Sequence, residues 1–198
     1  MTADNAFLEF TNKNKDALMF IFTADQDYVA ARCCILNALF AGFALASQAI
    51  EKSLKAFICI ESGKKMKTNH NPYELKEILK KYKDYDLDKY DRLLKKLFDH
   101  YQMRYHDNFA KYGTNGASGE ELKEIDKLWI DLKEKLPIPE ENKFRTMFFV
   151  DLFEHNPYWN NEFWLKQNNL ALAHKLDLWE KKYKRIMPQS HIIKTPNI

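Results

Sequence analysis

Lysines and arginines spaced to share a helix face are the residues of this chain best suited to chemistry, and the ligand they suit is phosphate. Lys52 and Lys55 stand three residues apart in Gln48-Ala-Ile-Glu51-Lys52-Ser-Leu-Lys55-Ala56, so both project to one side of a helix. Arg32, on the preceding helical stretch, can face the same way, and His70 and Arg104 can approach from later elements. A lysine offers phosphate a point charge, and an arginine offers a two-pronged donor. Tyr105, next to Arg104, supplies a ring on which a base could stack. The same residues also have a plainer reading. Glu51 and Lys55 make an ordinary pair one helical turn apart, Arg32 ties to Glu51 between helices, and His70 or Asn69 caps the helix that follows.

Other chemistries find less support. His100 and His106 are six residues apart and share no tight helical face, so no metal site is expected. Glu61-Ser-Gly-Lys-Lys65 lacks the first glycine and the spacing of a phosphate-binding loop, and no cofactor is expected. The serines have no nearby histidine and aspartate pattern for nucleophilic catalysis. An aromatic tract, Phe144, Phe148, Phe149, Phe153, Tyr158, Trp159, Phe163 and Trp164, lies among Lys143, Arg145 and Lys166. Such rings either stack bases or supply core and interface area.

The elements that must position these residues read as helices. With 198 residues the chain can bury one good core. Only 5 glycines and 6 prolines occur, too few for the turns of a sandwich or barrel. The net charge of +3 does not demand a nucleic-acid partner. Cys33, Cys34 and Cys59 lie in apolar helical sequence without metal spacing, and read as small core residues of a cytoplasmic protein. No signal peptide is apparent, and the longest apolar tract, Cys33 to Ala46, is too short to span a bilayer.

Periodicity predicts helices over about 24–37, 43–61, 73–82, 87–110, 119–136 and 158–186. Thr23-Ala-Asp-Gln26 looks like a capping box opening the first, and Gly42 interrupts the pattern before the second. Pro137 and Pro139 stop the fifth, and Thr146–Leu152 reads as a short strand or buried connector.

Tyr28-x-x-Ala-Arg32, Gln48-Ala-x-Glu51-Lys52-x-x-Lys55-Ala56 and His70-x-x-x-x-Leu75 together resemble the HEPN superfamily, the higher eukaryotes and prokaryotes nucleotide-binding domain. Arg104-Tyr105 resembles an Arg-Tyr pair of the same family, and the likeness covers roughly residues 24–110. It implies an antiparallel up-and-down bundle, usually a homodimer. Members include RNases of toxin–antitoxin and CRISPR systems, and non-catalytic modules that pair with minimal nucleotidyltransferases. The RNases use an arginine followed after four to six residues by a histidine, two such pairs meeting at the dimer interface. Here Arg104 has His106 only two residues on, and the literal match is Arg185-Ile-Met-Pro-Gln-Ser-His191, with Pro188 interrupting the helix. Arg185 and His191, or Arg104 with a histidine such as His70 or His106 brought near by folding, are therefore the catalytic candidates of the RNase reading.

The expectation is an all-α protein: an antiparallel up-and-down bundle of four to five core helices with a C-terminal helical extension. Residues 1–23 are read as an N-terminal arm, 24–187 as one HEPN-like domain and 188–198 as a flexible tail. The expected function is a nucleotide- or RNA-interacting module that dimerises and partners a nucleotidyltransferase or toxin–antitoxin component. Arg32, Lys52, Lys55, His70, Arg104 and Tyr105 would hold phosphate and base. The alternatives are a metal-independent endoribonuclease and an interaction bundle without a small ligand.

Overall fold

A computed structural model describes residues 9–66, 69–105, 108, 119–143, 166, 167 and 169–186. Its elements are α1 (Lys15–Leu36), α2 (Ala41–Ser62), α3 (Pro72–Lys80), a single 3-10 turn (Asp88–Tyr90), α4 (Asp91–Gln102), α5 (Gly119–Lys135), α6 (Glu140–Lys143) and α7 (Leu170–Ile186). No strand occurs among the described residues, and the fold is all-α as expected. None of the described helices is long and apolar enough to cross a membrane. The expected strand or connector at 146–152, the aromatic tract and the tail lie outside the described residues.

The chain divides into two compact units, Met1–Pro137 and Ile138–Ile198. The first unit contains α1 to α5. α1 starts at Lys15, nine residues before the expected start at Ala24. The apparent capping box is no cap: the Thr23 hydroxyl donates back to the carbonyls of Met19 (2.9 Å) and Phe20 (3.3 Å) inside the helix. Ala17, Ile21, Ala24, Tyr28 and Ala31 recur at helical spacing and are buried.

α2 is the central helix, touching α1, α3, α4 and α5. Its apolar stripe, Phe43, Ala46, Ile50, Leu54, Phe57 and Ile58, is almost wholly buried. Each large side chain so removed from water contributes roughly 1.5–3 kcal/mol. The helix ends on Gly63, whose left-handed φ of 67° lets its N–H reach the Cys59 carbonyl at 2.9 Å. Gly42 lies within the first turn of α2 rather than breaking it. A Cβ there would come within 2.8 Å of the Ala31 carbonyl oxygen, so glycine is what lets α1 and α2 approach. Cys59 is buried as expected, whereas Cys33 and Cys34 are half-exposed, and all three thiols are free.

Cross-helix pairs fix the directions. Asp27 pairs with Lys52 and Asp16 with Lys65, so the partner's number rises as the first falls, and α1 and α2 are antiparallel. α1 and α5 follow the same rule: Asp25 meets Lys133, Tyr28 meets Trp129 and Arg32 meets Asp126. So do α4 and α5, with its preceding turn: Tyr90 bonds Asp131 at 2.8 Å, and His100 meets Glu121 at 2.9 Å. The result is an antiparallel helical bundle.

In the second unit, the Asn169 side-chain oxygen accepts from the Leu172 N–H at 3.0 Å and so opens α7. Leu172, Leu176 and Trp179 are buried, and Glu140 of α6 bridges Lys143 (3.2 Å) and Lys182 (3.1 Å).

Candidate functional site

The six residues proposed from sequence do not converge on one place. Arg32 is fully buried, at 0% exposure, between α1 and α5, where its guanidinium pairs with Asp126. Tyr28, one turn earlier, donates to the other oxygen of the same carboxylate at 2.6 Å. Its ring stacks on Trp129 at 4.1 Å and 5°. Burial first, then the Asp126 charge, push the Tyr28 hydroxyl well above its ordinary pKa. A parallel pair, Asp25 with Lys133, lies beside it, and burial lowers the Lys133 ammonium despite Asp25. Arg32 therefore belongs to a sealed interior ion-pair set and not to an open phosphate site. The expected Arg32 tie to Glu51 is replaced by Asp126.

Lys52 is partly exposed and held by Asp27 on α1 at 2.5 Å. Lys55 has only 5% of its side chain exposed and donates to Glu51 Oε1 at 2.7 Å, the pair one turn apart that the spacing suggests. The two lysines thus share a helix but not a site.

What the structure does bring together is Lys55, His70, Arg104 and Tyr105, with Glu51 and Tyr101 as their common supports. His70 precedes α3, and it is not the cap of that helix. Asn71 caps it, its side-chain oxygen accepting from the N–H groups of Tyr73 (3.1 Å) and Glu74 (3.5 Å), with Pro72 at the first helical position. Relieved of capping, His70 sets Nδ1 3.1 Å from Glu51 Oε1, the oxygen that also accepts from Lys55. Its side chain is 60% exposed, whereas that of Glu51 is buried.

Tyr101 occupies the last turn of α4. The His70 ring lies near-parallel to the Tyr101 ring, 14° apart at 6.2 Å. The Arg104 guanidinium carbon sits 3.6 Å from the Tyr101 ring centroid and 4.8 Å from that of Tyr105. Arg104 also donates to both tyrosine hydroxyls, at 2.7 Å for Tyr105. Burial raises the Tyr101 hydroxyl above its ordinary pKa; Arg104 opposes this, while Tyr105 and Glu51 add to it. The expectation placed Arg104 and Tyr105 within a helix running to 110. In fact α4 ends at Gln102, and both residues lie just past it, exposed. Among the described residues Arg104 has no carboxylate partner.

Reasoning from sequence passed over Tyr101, which reads as one more position in an apolar stripe. The available signal was spacing: Tyr101, Arg104 and Tyr105 stand at i, i+3 and i+4. Arg185 is exposed in the last turn of α7, and its candidate partner His191 lies outside the described residues, as does His106. Among the described residues, one group of carboxylates is close enough to suggest a cation, Glu77, Asp88 and Asp91. Lys76 already fills it with contacts of 2.5, 2.8 and 2.7 Å.

Neither the curated proteins nor the solved structures yield a match to this sequence. A family model does: the HEPN domain matches residues 17–135, which span α1 through α5 and include every residue of the Tyr101 cluster. That is more than half of the chain, and the chain belongs to the HEPN domain family.

Proposed function

We propose that this chain is a nucleotide- or RNA-interacting HEPN module whose ligand binds at the Tyr101 cluster. The observation that carries the reading is Arg104. It is an exposed arginine held on two tyrosine rings, with no carboxylate to neutralise it among the described residues. A guanidinium so positioned presents a pre-organised fork to phosphate. Tyr105, 49% exposed, offers a ring for a base, and such stacking is worth about 1–3 kcal/mol per base. Glu51 and Lys55 act from beneath, holding His70 in place. Lys52 adds a partly neutralised charge at a distance, and Arg32 serves the fold.

The same reading includes a second copy of the chain as partner and a nucleotidyltransferase or toxin–antitoxin component beyond it, as the family resemblance implies. The free thiols of Cys33, Cys34 and Cys59 support a reducing, cytoplasmic setting.

One observation favours a second reading, a metal-independent endoribonuclease. Glu51 accepts from His70 Nδ1, which leaves Nε2 as the nitrogen for proton transfer, and Arg104 lies against the same tyrosine as His70. A histidine oriented by a carboxylate beside an arginine is a workable pair for moving a proton and stabilising phosphorane charge.

Calorimetry of the purified chain with nucleotides and short RNA, with the RNA checked on a gel, separates the readings. The module reading expects saturable binding that weakens with salt, falls about tenfold or more in Arg104→Ala, and leaves RNA intact. Cleavage lost in His70→Ala promotes the nuclease. An absence of both binding and cleavage overturns the two together and leaves a bundle that binds protein alone.

A further inference from the structure

The charges around Tyr101 are few, and how they are matched limits what the cluster can hold. Lys55 is buried and spoken for by Glu51. Lys52 is matched by Asp27, and Arg32 is sealed in the interior with Asp126. Arg104 is the one member of the cluster whose positive charge lacks a carboxylate partner among the described residues. Glu51, Lys55 and Arg104 together carry a single net positive charge.

That charge offsets about half or more of one phosphate group, which carries about 1.5 to 2 negative charges near neutral pH, and leaves none for a second. Each further phosphate of a di- or triphosphate would bring charge that nothing in the cluster meets. A magnesium ion could carry it, but magnesium on a triphosphate is ordinarily held by one or two protein carboxylates. The only carboxylate of the cluster among the described residues, Glu51, is buried and already accepts from both Lys55 and His70. The acidic group of Glu77, Asp88 and Asp91 is occupied by the Lys76 ammonium.

The stacking surface is limited in the same way. Tyr101 is only 6% exposed, with Arg104 over its ring, so Tyr105 is the ring left open to a base. One guanidinium and one open ring make a site for one base and one phosphate.

Resting on the nucleotide-binding reading above, we infer that the Tyr101 cluster takes a nucleotide unit bearing a single terminal phosphate in preference to a nucleoside triphosphate. Such a unit is either a free nucleoside monophosphate or the phosphorylated end of an RNA strand. Arg104 grips the phosphate and Tyr105 stacks the base.

The test is a calorimetric series on the full chain at constant ionic strength, with adenosine, AMP, ADP and ATP, the last two with and without magnesium. AMP is expected to bind at least about fivefold more tightly than ATP and about tenfold more tightly than adenosine. Arg104→Ala should bring AMP down to the level of adenosine, and Arg104→Lys should restore part of the gap. Circular dichroism of both variants checks that the helices remain. Two oligoribonucleotides of one sequence, with 5′-phosphate or 5′-hydroxyl, distinguish the sources. A preference for the phosphorylated strand over AMP assigns the site to RNA ends, and the reverse assigns it to free monophosphates. ATP binding as tightly as AMP overturns the single-phosphate inference while leaving the nucleotide-binding reading intact. Failure of every nucleotide and oligonucleotide to bind overturns both.

Discussion

The interior set on α1 and α5 and the cluster around Tyr101 are built from the same residue types. Each has an arginine beside a tyrosine, with a lysine and a carboxylate close by. They differ in balance and in access to water. Inside, Arg32 and Lys133 face Asp126 and Asp25 one to one, with Tyr28 and Trp129 stacked between them. Around Tyr101, the lysine and carboxylate cancel beneath the surface, and the arginine remains exposed and unmatched among the described residues. A motif arginine therefore reports nothing about binding by itself. What decides is whether the fold supplies a carboxylate: where it does, the arginine sets helix packing, and where the described residues supply none, the charge stays open to a ligand of the kind proposed above.

The largest expected effect attacks the closed side of this contrast. Arg32→Ala leaves Asp126 buried without its cation, and breaking such a pair costs about 3–5 kcal/mol. Urea denaturation should show the loss, and a variant replacing the whole set, Arg32→Met with Asp126→Leu and Tyr28→Phe, should recover much of it. A loss below about 1 kcal/mol in Arg32→Ala would mean the interior set is wetter than its burial implies.

A smaller effect comes from a third set, in which the buried Lys76 is matched by exposed carboxylates. Lys76 holds Asp88, which also bonds Lys80 at 2.5 Å. Hydrogen bonds from Lys76 and then Lys80 bring the Asp88 carboxyl down from its ordinary 3.8 to about 2. A carboxyl depressed in the folded state adds stability above its unfolded pKa and loses it as pH falls through the folded one. Thermal midpoints should therefore drop between pH 3.8 and about 2, and Asp88→Asn should flatten that part of the profile.

The smallest expected change in stability is at the open cluster. Arg104→Ala should shift unfolding by no more than about 0.5 kcal/mol, as for surface residues away from packing features. Calorimetric affinity and denaturation measured on the same variant sharpen the contrast with Arg32. If Arg104→Ala destabilised the fold as Arg32→Ala does, the two sets would not differ in kind.

Much of the bundle was readable because α2 declares itself locally. Its apolar stripe repeats cleanly, and Gly63 marks its end. The Glu51–Lys55 pair was readable for the same reason, since its partners lie one turn apart. The start of α1 was not, because Thr23 has the type of a cap residue but spends its hydroxyl on carbonyls within the helix. Asn71 rather than His70 caps α3, and in a run of Asn69-His-Asn71 only the backbone geometry separates these choices. The partner of Arg32 lies 94 residues further along the chain, a pairing that no periodicity encodes. The convergence of His70 and Arg104 on Tyr101 arises likewise from how α2, α3 and α4 pack.

The bond from Tyr28 to Asp126 joins residues 98 positions apart. α1 and α2 meet across a turn of residues 37–40, a loop short enough to close within about 10–100 ns. α5 must instead return over the whole stretch occupied by α2, α3 and α4 before its charges find α1, and that wide closure carries a larger entropic cost. Docking of α5 is thus expected late in folding, and its release early in unfolding. Contacts absent from the transition state act on the rate of leaving the native state, so the interior charges govern how long the bundle stays folded more than how fast it forms.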